Sequence, residues 1–549
     1  MRLLNNAATA LALAGHASAL FRSNALDIGP DSTRTGTVNK RAEDFNGWGT
    51  FDQLIDHSNP GLGTFKQRYW YGTEYWSGPG SPIILMNPGE QSATNFNLSW
   101  MSTERLTGLL AQNTGGAVVI VEHRYWGGSS PYDNLTIENL QYLTVDNSIR
   151  DMTYIARNFV PPFDTTGASS TVEAPWVFVG GSYGGALAHW IAAIEPGNFW
   201  AYYSSSGVVE AVSDFWQYVV PVQEATPRNC SSDIAAVIEH VDSVLGFGSP
   251  DEKEQLKDKF MLGDLTDLDF AFALETGPWL WQSTQFYSQN LTGYVPYYHF
   301  CDYIEGVWPN STNPVPGAEG VGLTKGLEGY AKYIRENVID GRCQYSGYPE
   351  WQGRNNTACF RNQDPDNLSY KDLSLDGFMN RQWYWMLCNE PFEWWFNGDP
   401  QNRTTLVSRL ITTDYWRGLC QLIFADGEFG LDDGKTADDV NTFTGGWDRT
   451  NTTKVMHTNG ELDPWRDATF SSIFRPGGPV ESTEQLPVRL VKGGTHCSDL
   501  YRPNWEANEE LMELVGEAVE NMKAWVGEFY EEREKGLPWN ENREHPMRG

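Results

Sequence analysis

The chain reads as an α/β protein built on a mostly parallel sheet. Three observations carry that reading. Short apolar, β-branched runs recur; amphipathic segments lie between them; and one run gives way to a helix through a serine set among glycines.

The strand signals come in two groups. Pro82–Met86 (PIILM), Ala117–Val121 (AVVIV) and Trp176–Val179 form the first, Lys454–His457 and Val488–Val491 the second. Runs with no polar alternation are expected for strands covered on both faces. Helices are predicted at Ile149–Phe159, Ala186–Ile194 and Trp505–Phe529. In the last, Leu511, Val515, Ala518, Met522, Trp525 and Phe529 recur at helical spacing with glutamates between them. The stretch from Ser213 to Val440 differs. It has few clean strands and is rich in Trp and Tyr, as in WYWMLCNEPFEWWF (Trp383–Phe396). It reads as a mainly helical insertion capping the sheet. The predicted organisation is a first part of the main domain at 42–212, the cap at 213–440 and the second part at 441–549.

Composition bounds the function. The 549 residues are 40% hydrophobic and 20% charged, enough for a large core. The net charge of −32 argues against nucleic acid or an anionic membrane as partner. It suits a protein that stays soluble in an acidic medium. Residues 1–19 read as a secretory signal, with Arg2, an apolar stretch and an Ala17-Ser18-Ala19 cleavage site. Residues 20–41 end in Lys40-Arg41, a dibasic site where a propeptide would be removed. No later stretch has the length of a membrane span, so the product is expected outside the cell, with a vacuolar or lysosomal destination as the alternative. Nine N-x-S/T sites (Asn97, Asn134, Asn229, Asn290, Asn310, Asn355, Asn367, Asn402 and Asn451) fit a glycoprotein. Seven cysteines without C-x-x-C pairs disfavour zinc and thioredoxin chemistry. Up to three disulfides and one thiol are expected, the bridges lying between Cys230 and Cys420.

Gly180-Gly181-Ser182-Tyr183-Gly184 matches G-x-S-x-G. A serine hydroxyl is a poor nucleophile until a sharp turn exposes it and a base pairs with it. Here the pentapeptide follows an apolar strand and opens an alanine-rich helix, the context that an α/β-hydrolase elbow requires. The N–H of Tyr183 is then one oxyanion donor. The second is expected on the loop after an early strand, near Gly89 or Glu90 in ILMNPGEQSA. An acid and then a histidine should follow in the chain. Of the nine histidines, His189 lies on the elbow helix, His240 and His299 in the cap, His457 within a strand and His545 in a polar tail. His496, on the glycine-rich loop after the last strand, is the candidate base. Asp463, just past the Lys454–His457 strand, is the candidate acid, with Glu461 and Asp467 as competitors. The fold class is therefore an α/β-hydrolase with a helical cap between the nucleophile strand and the acid and histidine strands.

Four motifs occur in order: EHRYWGGSSP (Glu122–Pro131), GGSYGG (Gly180–Gly185), NGELDPW (Asn459–Trp465) and GGTHCSDL (Gly493–Leu500). Together they resemble the serine peptidase family of lysosomal Pro-Xaa carboxypeptidase, dipeptidyl peptidase II and the secreted fungal proline-specific endoproteases. The resemblance implies cleavage on the carboxyl side of proline at acidic pH, through the same Ser182, Asp463 and His496. It also implies that Trp465 lines the proline pocket and that Cys388 pairs with Cys420. Two departures stand out. Asn87-Pro88-Gly89-Glu90 replaces the G-G-E-G of animal members, and Ala186 stands where they carry methionine, which would enlarge the pocket. The separation of Asp463 from His496 looks closer to the fungal endoproteases.

The expected function is thus a secreted serine peptidase acting after proline in peptides or proteins. Exopeptidase action within the same family and a secreted esterase on the same fold are the alternatives, followed by a non-catalytic glycoprotein. H-E-x-x-H is absent, and no metal or cofactor is expected. Endo versus exo action and oligomeric state are not encoded in any motif.

Overall fold

A computed structural model describes residues 45–96, 98–288, 295–307 and 313–535. The expected signal and propeptide, and the sites at Asn97, Asn290 and Asn310, lie outside the described residues. Eight strands form one sheet: β1 (Asn46–Leu54), β2 (Thr64–Gly72), β3 (Ile83–Asn87), β4 (Ala117–Val121), β5 (Trp176–Gly181), β6 (Ala201–Ser205), β7 (Val455–Gly460) and β8 (Val488–Val491). Their spatial order is β1-β2-β4-β3-β5-β6-β7-β8. β1 pairs antiparallel with β2, and β2 with β4; every pairing from β4 through β8 is parallel.

Strands β3, β4 and β5 are buried along their whole length because helices cover both faces. Along the first two, alternate side chains enter separate cores. Ile83, Leu85 and Val119 pack with α2 (Val145–Asn158) and α3 (Tyr183–Ile194). Ile84, Met86, Val118 and Ile120 pack with α1 (Leu106–Thr114) and the last helix, Glu509–Glu534.

The described elements between β6 and β7 are all helical. Three disulfides staple this region. Cys230–Cys301 ties the helix at Arg228–Phe247 to the one at Pro296–Glu305, and Cys343–Cys359 closes a short loop. Cys388–Cys420 joins the helices at Arg381–Asn389 and Thr413–Ile423. Cys497 is buried and unbridged.

Four elements were not legible as expected. β1 and β2 carry polar residues on the covered face: Gln53 and Gln67 are buried and hydrogen-bond each other at 3.0 Å, which masks the apolar alternation. β6 (AYYSS) ends in two serines. The predicted helix from Trp505 is broken at Asn508, whose extended backbone and side chain cap Leu511 N–H at 2.9 Å and start a new helix.

Candidate active site

Ser182 follows β5 immediately and precedes α3. Its backbone sits at φ 57°, ψ −127°, a region that costs a non-glycine residue about 1–3 kcal/mol. The surrounding glycines are required by space. A Cβ on Gly180 would lie 2.0 Å from the Gly184 carbonyl oxygen, and one on Gly184 2.8 Å from the Asn87 oxygen. The serine N–H donates to Ser205 O on neighbouring β6 at 2.8 Å, which fixes the turn to the sheet. Ser182 is 7% exposed.

Asp463 lies three residues past the end of β7, and His496 five past β8. Both are fully buried. His496 Nδ1 contacts Asp463 Oδ1 at 2.9 Å and Oδ2 at 3.1 Å, and Trp465 N–H donates to the same Oδ1 at 2.9 Å. The competitors are engaged elsewhere. Glu461 accepts from Gly493 N–H at 2.8 Å, and Asp467 pairs with Arg466 at 3.0 Å. His457 faces His189 at 3.3 Å behind the elbow helix. Burial opposes a charged imidazole at His496, but the Asp463 carboxylate outweighs it and holds the group well above the usual histidine range. Its Nε2 is buried and makes no hydrogen bond among the described residues, so Asp463 and His496 are hydrogen-bonded while His496 Nε2 and Ser182 are not.

The Gly89 loop packs on the start of α3: a Cβ on Gly89 would lie 3.4 Å from Gly184 N. Gly89 has φ 76°, and its N–H donates to Asn87 Oδ1 at 2.9 Å. That hydrogen bond engages the Gly89 N–H within its own turn. Tyr183 is the first residue of α3, where a backbone N–H has no intrahelical acceptor.

Trp465 is 9% exposed and tilts against His496, ring centroids 6.4 Å apart. Phe215, Tyr218, Trp394 and Phe396 surround it at 5.3–5.8 Å between centroids. These four come from the cap or its edge, and only the aromatic density of that region hinted at them. Ala186 is fully buried one turn into α3, in the core.

Sequence reasoning also missed the cap's grip on the catalytic loops. Gln285 Nε2 donates to His496 O at 2.9 Å, Thr495 Oγ1 to Thr284 O at 2.6 Å, and Trp281 Nε1 to Leu462 O at 2.7 Å. Asp499 accepts hydroxyls from Tyr203, Ser205 and Thr458 at 2.6–2.7 Å, bolting the histidine loop to β6 and β7. No local pattern marks these partners, which lie far apart in the chain.

Of the described glycosylation candidates, Asn134, Asn355, Asn402 and Asn451 are exposed and Asn229 is half-buried. Asn367 is 5% exposed, and its Nδ2 donates to Arg361 O at 3.0 Å in the folded chain.

A strained serine after the central strand, with a buried Asp–His pair after two later strands, belongs to a serine hydrolase of the α/β-hydrolase fold. The chain belongs to the serine carboxypeptidase S28 family, whose model matches residues 53–515. It is a serine-type peptidase by that membership. It is 40% identical to the serine protease vicPa of Bipolaris victoriae over 90% of this chain and 91% of the relative. It is 28% identical to a probable extracellular serine carboxypeptidase of Arthroderma benhamiae, over 85% of this chain and 64% of the other. Among solved structures, a bacterial brefeldin A esterase covers 95% of this chain and 87% of its own at 10% identity. Its TM-score of 0.34 is too low to carry an argument. Among the described residues no helix is long and apolar enough to cross a membrane.

Proposed function

We propose that this peptidase is secreted and cleaves on the carboxyl side of proline through an acyl-enzyme. His496 takes the proton from Ser182 as its Oγ attacks the carbonyl after proline. Asp463 orients the imidazole and stabilises its charged form. The N–H groups of Tyr183 and Glu90 hold the oxyanion. The intermediate then collapses: the C–N bond breaks, His496 gives its proton to the leaving amine, and the acyl-enzyme remains. Water attacks the acyl-enzyme, with His496 as base again, and releases the carboxylate and free Ser182.

The observation that carries this reading is the Trp465 ring beside His496, in a chain segment that also holds Asp463. A flat indole inside an aromatic box suits a compact pyrrolidine ring. The acidic working range implied by the resemblance is part of the same proposal and is read by the pH series below.

Peptide mapping by mass spectrometry across pH 4–8, with Ser182→Ala alongside, is the test. Internal cuts after proline, absent in the variant, establish a prolyl endopeptidase. Loss of only a terminal residue or dipeptide makes it an exopeptidase. Ser182-dependent ester hydrolysis without peptide cleavage refutes the specificity.

A further inference from the structure

We infer that Glu122 is a positioning residue for the oxyanion loop, a role that rests on the proposed part of Glu90 in catalysis. Glu122 begins the EHRYWGGSSP motif, to which the triad gives no task. It stands one residue past β4 and is fully buried. Its Oε1 accepts from Ala93 N–H at 2.9 Å, from Ser92 Oγ at 3.2 Å and from Arg68 Nη2. Its Oε2 accepts from Arg68 Nε at 2.7 Å, Ser129 Oγ at 2.6 Å and Gly128 N–H at 3.1 Å. All six partners donate, so the site is built for a carboxylate that only accepts.

Two of those donors, Ser92 and Ala93, lie in the loop that carries Glu90. The other end of the loop is fastened next door. Asn87 Nδ2 donates to Val121 O at 3.0 Å while its Oδ1 takes the Gly89 N–H. Residues 121 and 122 therefore anchor the segment 87–93 at both ends. The loop's middle presses on the start of α3, where Gly89 approaches Gly184. The motif's glycines serve the same clamp: a Cβ on Gly127 would lie 2.2 Å from Glu122 Oε1.

An oxyanion hole works because its dipoles are fixed before charge develops. Glutamine at 122 keeps the shape but turns an NH₂ toward groups that also donate, so one end of the clamp opens. The loop then loses its register with the elbow while the triad stays in place.

The test uses the full-length enzyme, a chromogenic proline amide, and a matched pair of inhibitors: a peptide aldehyde ending in proline and the corresponding alcohol. The aldehyde forms a tetrahedral adduct with an oxyanion; the alcohol does not. For Glu122→Gln the expected result is a loss of about 10²-fold in kcat with KM nearly unchanged. The aldehyde should weaken by a similar factor, and the alcohol should bind as in the parent. Arg68→Gln, which leaves the carboxylate on Ala93 and Gly128, should show the same split at about tenfold, and stands in if Glu122→Gln does not fold. Parental kcat and aldehyde affinity in both variants, or equal weakening of aldehyde and alcohol, overturns the inference. Activity that survives Ser182→Ala would instead refute the catalytic reading on which it rests.

Discussion

Replacing Asp463 with asparagine tests the triad most sharply. In the structure Oδ1 accepts from both Trp465 N–H and His496 Nδ1 at 2.9 Å, while Oδ2 faces Nδ1 at 3.1 Å. An asparagine keeps one oxygen. Trp465 N–H cannot change its role, so it retains that oxygen and leaves the NH₂ at the Oδ2 position. A donor then lies 3.1 Å from Nδ1 beside the retained oxygen at 2.9 Å, and it favours the tautomer whose ring proton sits on Nε2. In that tautomer Nε2 cannot take the Ser182 proton. The buried negative charge that stabilises the imidazolium is lost as well. A loss of about 10⁴ in kcat is expected, or roughly 5.5 kcal/mol of transition-state stabilisation. The pH profile should move too. Asp463 is the largest influence lifting His496 against burial, so without it the acid limb of kcat/KM shifts to lower pH. Steady-state kinetics on a proline amide from pH 4 to 9, normalised to active sites, read both effects. A variant within tenfold of the parent, or an acid limb that does not move downward, refutes the assignment of Asp463.

Other consequences follow from the same geometry. Ser182→Gly should be inactive yet more stable than Ser182→Ala by about 1 kcal/mol, because only glycine relaxes at φ 57°; chemical denaturation compares them. Trp465→Ala removes a ring packed among four aromatics. It should cost about 3–5 kcal/mol of stability and raise KM for proline substrates, measured by denaturation and kinetics. Thermal stability should peak between about pH 5 and 6.5. Burial raises Glu210 and Glu390 to about 7, so the folded state holds protons that the unfolded chain releases, and stability is lost as pH rises from about 4.5 to 7. Burial lowers His123 to about 4 and His189 to about 3, so the unfolded chain binds protons that the folded state refuses, and stability is lost as pH falls below about 6.5. A melting-temperature scan without such a maximum contradicts this.

The amino-acid sequence by itself determined the features written in local patterns. Uninterrupted apolar runs marked β3, β4 and β5, because a strand covered on both faces leaves no position for polar residues, while β7 and β8 were read from short runs that include His457 and Arg489. The glycines around Ser182 marked the elbow, since backbone crowding there excludes side chains. His496 and Asp463 came from elimination among few candidates on loops after strands. Tertiary structure decided what depends on groups brought together from afar. Gln53 and Gln67 satisfy each other inside the sheet, so β1 and β2 carry no apolar signature. The engagement of the Gly89 N–H by the Asn87 side chain depends on one backbone rotation, which no spacing reveals. Asn367 looks like any other acceptor sequence until folding buries its amide. The bonds from Gln285 and Trp281 in the cap to the catalytic loops span about two hundred residues of chain. A pattern in sequence reports the forces acting on a segment's own backbone. Contacts between distant segments are fixed only when the whole chain has closed around them.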